Sequence, residues 1–214
     1  MSLHMESHLH IPIHYALQRM QQRIVGQTTY FGVKAVKCPL DAWVYQEIIY
    51  EMRPDVIVEL GTFHGGGALY LAHLCDLMNH GTVVSVDIKQ GTVALPVLEH
   101  PRIALIESDA CAAFQQVREF FLRSTESVLV IEDSAHTFEN TLSVLRTYHE
   151  LIQPGGYFIV EDGICHHGLD VGPVAGPYEA VEAFLAERDD FEADRAREAF
   201  FLTWNPKGFL RRAN

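Results

Sequence analysis

The chain has 214 residues, 48% of them hydrophobic, which suits one α/β domain with a core on both faces of a sheet and is short for two. Its 28 acidic against 16 basic residues give a formal net charge of -12, which repels a phosphate backbone and argues against nucleic acid as a partner. No apolar run reaches the roughly 18 to 20 residues of a membrane-spanning helix, the first residues are too polar and His-rich for a secretory signal, and Cys38, Cys75, Cys111 and Cys165 form no CxxC pair. A cytoplasmic protein with reduced thiols and no membrane partner is expected.

His4, His8, His10 and His14 open the chain, but Pro12 interrupts them, so a loosely held terminus is favoured over a metal site. Residues 15–24 have helical apolar spacing and 28–39 read as a loop, so 1–38 form a partly helical N-terminal segment ahead of a main domain at 39–214. Leu40, Val44, Ile48 and Met52 recur at helical spacing until Pro54. Strand-length apolar runs then alternate with helix-period stretches. The strands are expected at 55–60, 82–87, 102–107, 128–133 and 156–162, and the helices near 68–78, 112–122, 138–151 and 178–188. Near-continuous hydrophobic strands separated by helices indicate a doubly wound, mostly parallel sheet. Runs at 191–196 and 199–205 are expected to add an antiparallel hairpin at one edge.

The turn after the first of these strands reads Glu59-Leu-Gly61-Thr62-Phe-His64-Gly65-Gly66-Gly67. Glycines let a backbone approach a ligand closely, and the exposed amides of such a turn suit a polar or anionic group. Asp87 closes the next strand, where a carboxylate can accept hydrogen bonds from ribose hydroxyls. The ExGxxxGGG register differs from the pyrophosphate-binding GxGxxG, which favours a nucleotide-type ligand without a diphosphate over a nicotinamide cofactor. Ser108 and Asp109, after the third strand, could bond an adenine edge or cap the following helix. His64 could touch the cofactor or sit on the loop surface.

Asp133 closes the fourth strand, with His136 three residues on, and Glu161 and Asp162 close the fifth. Neighbouring strands would bring the three acids together, and clustered carboxylates require a cation. Hard oxygen donors suit Mg²⁺, or another divalent metal such as Mn²⁺ or Ca²⁺. Such an ion lowers the pKa of a substrate hydroxyl, and His136 is placed to take the proton, with Asp133 and His136 as the catalytic pair. His166 and His167 lie in a Gly- and Pro-containing stretch at 166–177, expected to lie over the pocket.

Several segments together carry a family resemblance: Tyr30-Phe31-Gly32, Pro39-Leu-Asp41, Glu59-Leu-Gly61-Thr62, Gly65-Gly66-Gly67-Ala68, Ser85-Val-Asp87, Asp133-Ser-Ala-His136, Glu161-Asp162 and Asn205-Pro206-Lys-Gly208. From about residue 30 to 211 the chain resembles the cephalosporin hydroxylase family, which includes rhamnosyl O-methyltransferases, within the Rossmann-like class I methyltransferases. The resemblance implies a seven-stranded sheet with an antiparallel last strand. It also implies S-adenosylmethionine at Glu59, Gly61 and Asp87; Thr62, His64, Gly65, Gly67, Ser108 and Asp109 join them as cofactor-binding candidates from the turn and strand-end reading above. The separation of Asp133 and Glu161 is similar to that in metal-dependent O-methyltransferases acting on catechols and on macrolide sugars, and His136 matches the base of the sugar enzymes; Asp162 joins the metal set from the strand-end reading above. The implied reaction is methylation of a hydroxyl on a sugar or small natural product, and the implied assembly is a homo-oligomer. A hydroxylase or nicotinamide-dependent oxidoreductase, and a non-catalytic cofactor-binding module, are the alternatives on this fold.

Overall fold

The structure, a computed structural model, describes residues 4–7, 9–121, 123 and 126–213; His8 and Leu122, which fall within the readings above, lie outside the described residues. Helix α1 (Ile13–Gln27) starts just after Pro12 and buries Leu17 and Ile24. These pack with Cys38, Ile164, Leu169 and Trp204. Residues 28–39, expected to be a loop, contain a small hairpin of β1 (Thr29–Tyr30) and β2 (Val33–Lys34). Phe31 and Gly32 turn it with φ of 47° and 82°, the paired positive values that match strand twist in two-residue hairpins.

Helix α2 (Pro39–Met52) has proline in its first turn, where the missing N–H costs nothing, and ends at left-handed Arg53 before Pro54. There follow β3 (Val56–Leu60), α3 (Gly66–Met78), β4 (Thr82–Asp87), a short α4 (Leu95–Leu98), β5 (Ile103–Glu107), α5 (Phe114–Phe121) and β6 (Val128–Glu132). The chain continues through α6 (Phe138–Tyr148), β7 (Tyr157–Val160), α7 (Pro177–Glu187), β8 (Phe191–Ala193) and β9 (Phe209–Arg212). Seven strands form one sheet in the order β5-β4-β3-β6-β7-β9-β8. The first five are parallel, while β9 runs antiparallel to both β7 and β8. No helix among the described residues is long and apolar enough to cross a membrane.

Every residue of β3 and of β6 is buried, so both faces of these central strands carry core. Val56, Val58, Leu60, Val130 and Phe158 point to one layer, built with Leu145 and Tyr148 of α6 and Phe184 of α7. Ile57, Val83, Ile131 and Ile159 point to the other, built with Ile48 and Ile49 of α2 and Leu69 and Ala72 of α3. Extending this two-residue alternation past the strand ends places Glu59, Ser85, Asp133 and Glu161 on the α2/α3 side and Glu132 on the α6/α7 side. The sheet thereby sorts the acids before any of them makes a contact.

At the point where β3 gives way to its turn, Gly61 has φ of 110°, and a Cβ there would overlap the carbonyl oxygen of Asp133. The β3 and β6 ends are thus in backbone contact, fixed further by Asp133 N–H donating to Leu60 O (2.8 Å), while Gly61 N–H donates to Val86 O of β4 (2.8 Å) on the other side.

The second strand of the expected edge hairpin is displaced. Residues 199–205 form no strand, and β9 lies later, at Phe209–Arg212. The reason is that buried Asp41 captures the segment: its carboxylate accepts from Thr203 Oγ1 (2.6 Å) and from Trp204 N–H (2.8 Å). Asn205 Nδ2 donates to Tyr45 Oη (2.8 Å), and its Oδ1 accepts from Asp162 N–H (3.2 Å). Of the apolar run that reads as a strand, Ala199, Phe200 and Phe201 are exposed, and Thr203, Trp204 and Asn205 are buried and held by these bonds instead of by a sheet ladder.

Two stability predictions follow from these contacts. Gly61→Ala should cost at least about 2 kcal/mol in chemical denaturation, because a side chain both forces an unfavourable φ and pushes the two strand ends apart; a near-neutral effect would show the contact to be soft. Burial pushes the Asp41 carboxyl up to about 6 from 3.8, against the opposing bonds from Thr203 and Trp204. Between those values the native state holds more protons than the unfolded chain, so this residue's contribution to stability falls as pH rises through the window. Denaturation of wild type and Asp41→Asn across that window should show the wild type losing roughly 1–3 kcal/mol relative to the variant; parallel pH profiles would contradict the raised pKa.

Candidate active site

A cavity of about 560 Å³ opens at the carboxyl ends of β3, β4 and β6, where chain connections leave the sheet on opposite sides. Gly61, Thr62, Gly66 and Gly67 form one wall, and Asp87, Ile88, Ser108, Asp109 and Ala110 form another. Asp87 is held by two amides: Oδ2 accepts from Phe63 N–H (2.8 Å) and Oδ1 from Lys89 N–H (3.1 Å). Each oxygen keeps acceptor capacity for a ligand hydroxyl. Asp109 Oδ1 accepts from Ala112 N–H (3.0 Å), so the capping role is filled by a residue that also lines the cavity.

Glu59 is buried beneath this wall. Its Oε2 accepts from Ser85 Oγ (2.5 Å), and Ser85 Oγ lies 2.7 Å from Thr62 Oγ1. Burial pushes its carboxyl up to about 7, opposed mainly by the Lys37 ammonium and then by the Ser85 bond. Gly67 is required here for room, since a Cβ would overlap Glu59 Oε1 and crowd Lys37 Cε at 3.0 Å. The glycine run therefore makes space for a buried charge as well as for a ligand.

At the other end of the cavity lie Asp133, His136 and Asp162. One ligand atom from each can be chosen so that all lie within 4.8 Å of one another. His136 Nε2 is 3.8 Å from Asp133 Oδ1 and 3.6 Å from Asp162 Oδ2. His136 and Asp162 both have left-handed backbone, with φ of 54° and 57°, which costs energy in non-glycine residues and is typical of functional turns. Burial alone would drive the proton off His136, but the charges of Asp133 and Asp162 outweigh it and hold the imidazole above its ordinary range.

Glu161 has a different partner. Lys37, from the segment between β2 and α2, donates from Nζ to Glu161 Oε1 (2.6 Å) and to Asp133 Oδ2. Burial pushes the Glu161 carboxyl up to about 7, helped by Asp133 and opposed by Lys37. Three carboxylates, from Glu59, Asp133 and Glu161, act together to keep the ammonium protonated despite its burial.

The structure thus brings most of the expected residues to one cavity: Glu59, Gly61, Thr62, Gly67, Asp87, Ser108, Asp109, Asp133, His136 and Asp162 all line it. Gly65 instead packs on Val97 at the start of α3. His64 points its Nδ1 to Thr92 O (3.1 Å), outside the lining. His166 and His167 are likewise turned away, His166 Nε2 to Gly172 O (3.0 Å) and His167 Nε2 to Glu179 Oε1 (2.6 Å). Sequence reasoning missed Lys37, whose only signal was the charge deficit of the acid cluster it serves. It also missed Asn140, which lines the cavity and ties Ser134 Oγ (2.7 Å) to Glu132 Oε1 (3.1 Å).

Residues 22–213 match the protein family Rhamnosyl O-methyltransferase/CmcI. A rhamnosyl O-methyltransferase of Mycobacterium leprae (strain TN) is 36% identical over 195 residues, covering 86% of this chain and 82% of that protein. Among solved structures, CmcI with S-adenosylhomocysteine superposes with a TM-score of 0.65 at 25% identity, over 86% of this chain and 81% of the other. CmcI with magnesium and S-adenosylmethionine shares the fold at a TM-score of 0.68 and 24% identity, over 87% and 77%. The nicotinamide-dependent and non-catalytic readings fall with these matches. The chain belongs to the rhamnosyl O-methyltransferase/CmcI family and is an S-adenosylmethionine-dependent O-methyltransferase.

Proposed function

We propose that this enzyme methylates a hydroxyl of a sugar or similar small hydroxylated natural product, with a divalent ion, Mg²⁺ or Mn²⁺, held at Asp133, Glu161 and Asp162 and with His136 as the base. The observation that carries this reading is that Asp133, His136 and Asp162 share one cavity with Asp87 and the glycine turn. The names of the relatives, which act on rhamnosyl groups, support the sugar, and the magnesium in a CmcI complex supports the metal. The donor set fits a small hard cation: it is three carboxylates, and two of them, Asp133 and Glu161, already attract an ammonium, while His136 Nε2 stands 3.8 Å from Asp133 and 3.6 Å from Asp162.

In this reading Asp87 receives the ribose hydroxyls, Ser108 and Asp109 face the adenine, and Gly61, Thr62 and Gly67 border the methionyl portion above Glu59. A bound divalent ion would supply Lewis acidity to the acceptor hydroxyl. The acceptor oxygen attacks the sulfonium methyl carbon in line, the carbon–sulfur bond breaks with its electron pair going to sulfur, and the hydroxyl proton passes to His136 Nε2. The charges of Asp133 and Asp162 raise the His136 pKa, and a bound cation that neutralised them would make the imidazole readier to exist as a free base.

Calorimetry and turnover assays separate the two halves of the site. Asp133→Ala should abolish methyl transfer to a rhamnoside acceptor while S-adenosylhomocysteine affinity stays within about threefold; an equal loss of cofactor affinity would show that the halves are not separate. His136→Ala should lower kcat by about 10²- to 10⁴-fold with little change in cofactor binding. Chelation should stop the wild-type reaction and Mg²⁺ or Mn²⁺ restore it, and full activity in chelator would remove the metal from the mechanism.

A further inference from the structure

The acid cluster already holds a cation of its own. The Lys37 ammonium sits against Asp133 Oδ2 and 2.6 Å from Glu161 Oε1, with the lysine side chain only 18% exposed. It reaches this position because Gly67 has no side chain to block its Cε. A divalent ion coordinated by both Asp133 and Glu161 would lie about 2.0–2.6 Å from their oxygens. That is the space the ammonium fills, and two cations so close in a partly buried site repel strongly.

The far side of Lys37 offers the lysine somewhere to go. A second cavity, about 240 Å³ in volume, lies between the β1–β2 hairpin, α2 and α3. Lys37, Glu59, Gly66 and Gly67 border both cavities. The second is walled by Tyr30, Trp43, Tyr45 and Tyr70, and aromatic faces stabilise an ammonium through their quadrupoles. We infer that Lys37 is an internal competitor of the divalent ion: it bridges Asp133 and Glu161 until the ion takes that pair, and then withdraws toward the aromatic cavity. The inference rests on the metal reading proposed above. It assigns Lys37 a positioning role, since it acts on the carboxylates and touches no reacting atom.

The test uses Mn²⁺ alone as the probe, followed by electron paramagnetic resonance on the full chain. Lys37→Met should bind Mn²⁺ at least tenfold more tightly than wild type, and Asp133→Asn should bind it poorly. In the wild type, Mn²⁺ should also raise acylation of Lys37 by acetic anhydride several-fold, read by mass spectrometry; this second measurement decides the matter if Lys37→Met does not fold. Equal or weaker Mn²⁺ binding by Lys37→Met would overturn the competition while leaving the metal site standing. Tighter binding with Lys37 acylation unchanged or reduced would overturn it too, because ion and ammonium would then coexist. Absence of Mn²⁺ binding in both wild type and Lys37→Met would remove the metal reading itself, and the competition with it.

Discussion

The pleat of the central sheet is the constraint on which the site depends. Because successive side chains alternate, β3, β6 and β7 each deliver one carboxylate to the same face as their strands run out: Glu59, Asp133 and Glu161. Two buried carboxylates and a third that is partly buried repel each other on one face and are expensive to ionise, and the raised pKa values of Glu59 and Glu161 express that cost. A cation is a requirement of the fold before it is a feature of catalysis. Lys37 meets the requirement from outside the sheet, and the absence of a side chain at Gly67 lets it in.

The same logic explains why Glu132 stands apart from Asp133 despite adjacency in sequence. Its side chain points to the opposite layer, where Ser134 and Asn140 bond one oxygen and the other has no partner among the described residues. Burial pushes this carboxyl up to about 7 as well. Asp162, one residue past Glu161, is carried back to the cavity by its left-handed backbone and by the hydrogen bond its backbone N–H donates to Asn205 Oδ1. Asn205 is in turn fixed by Tyr45, and the neighbouring Thr203 and Trp204 by Asp41, so a chain of buried polar contacts runs from α2 to the turn that carries Asp162.

How much of this was legible depended on the length of the signal. Parallel strands buried on both faces appear as continuous apolar runs, and β4 fell at the residues expected of it. The β1–β2 hairpin was invisible because two-residue strands have no period and Phe31-Gly32 is not among the common turn pairs. The run at 199–205 misled for the opposite reason: it is apolar enough for a strand, but the Trp204 amide is taken by a carboxylate more than 160 positions away. Strand ends told which acids would meet; they carried no information about a lysine in a loop. The glycine turn was read for its ligand, whereas Gly61 and Gly67 are also dictated by Asp133 and Glu59.

The backbone contact between Gly61 and Asp133 has a mechanical meaning. The turn that borders the larger cavity and the strand that leads to Asp133 are pressed together with no side chain between them, so their spacing is set by backbone against backbone. A substitution at Gly61 would therefore be felt first as a displaced Asp133 and not as a local change in the glycine turn.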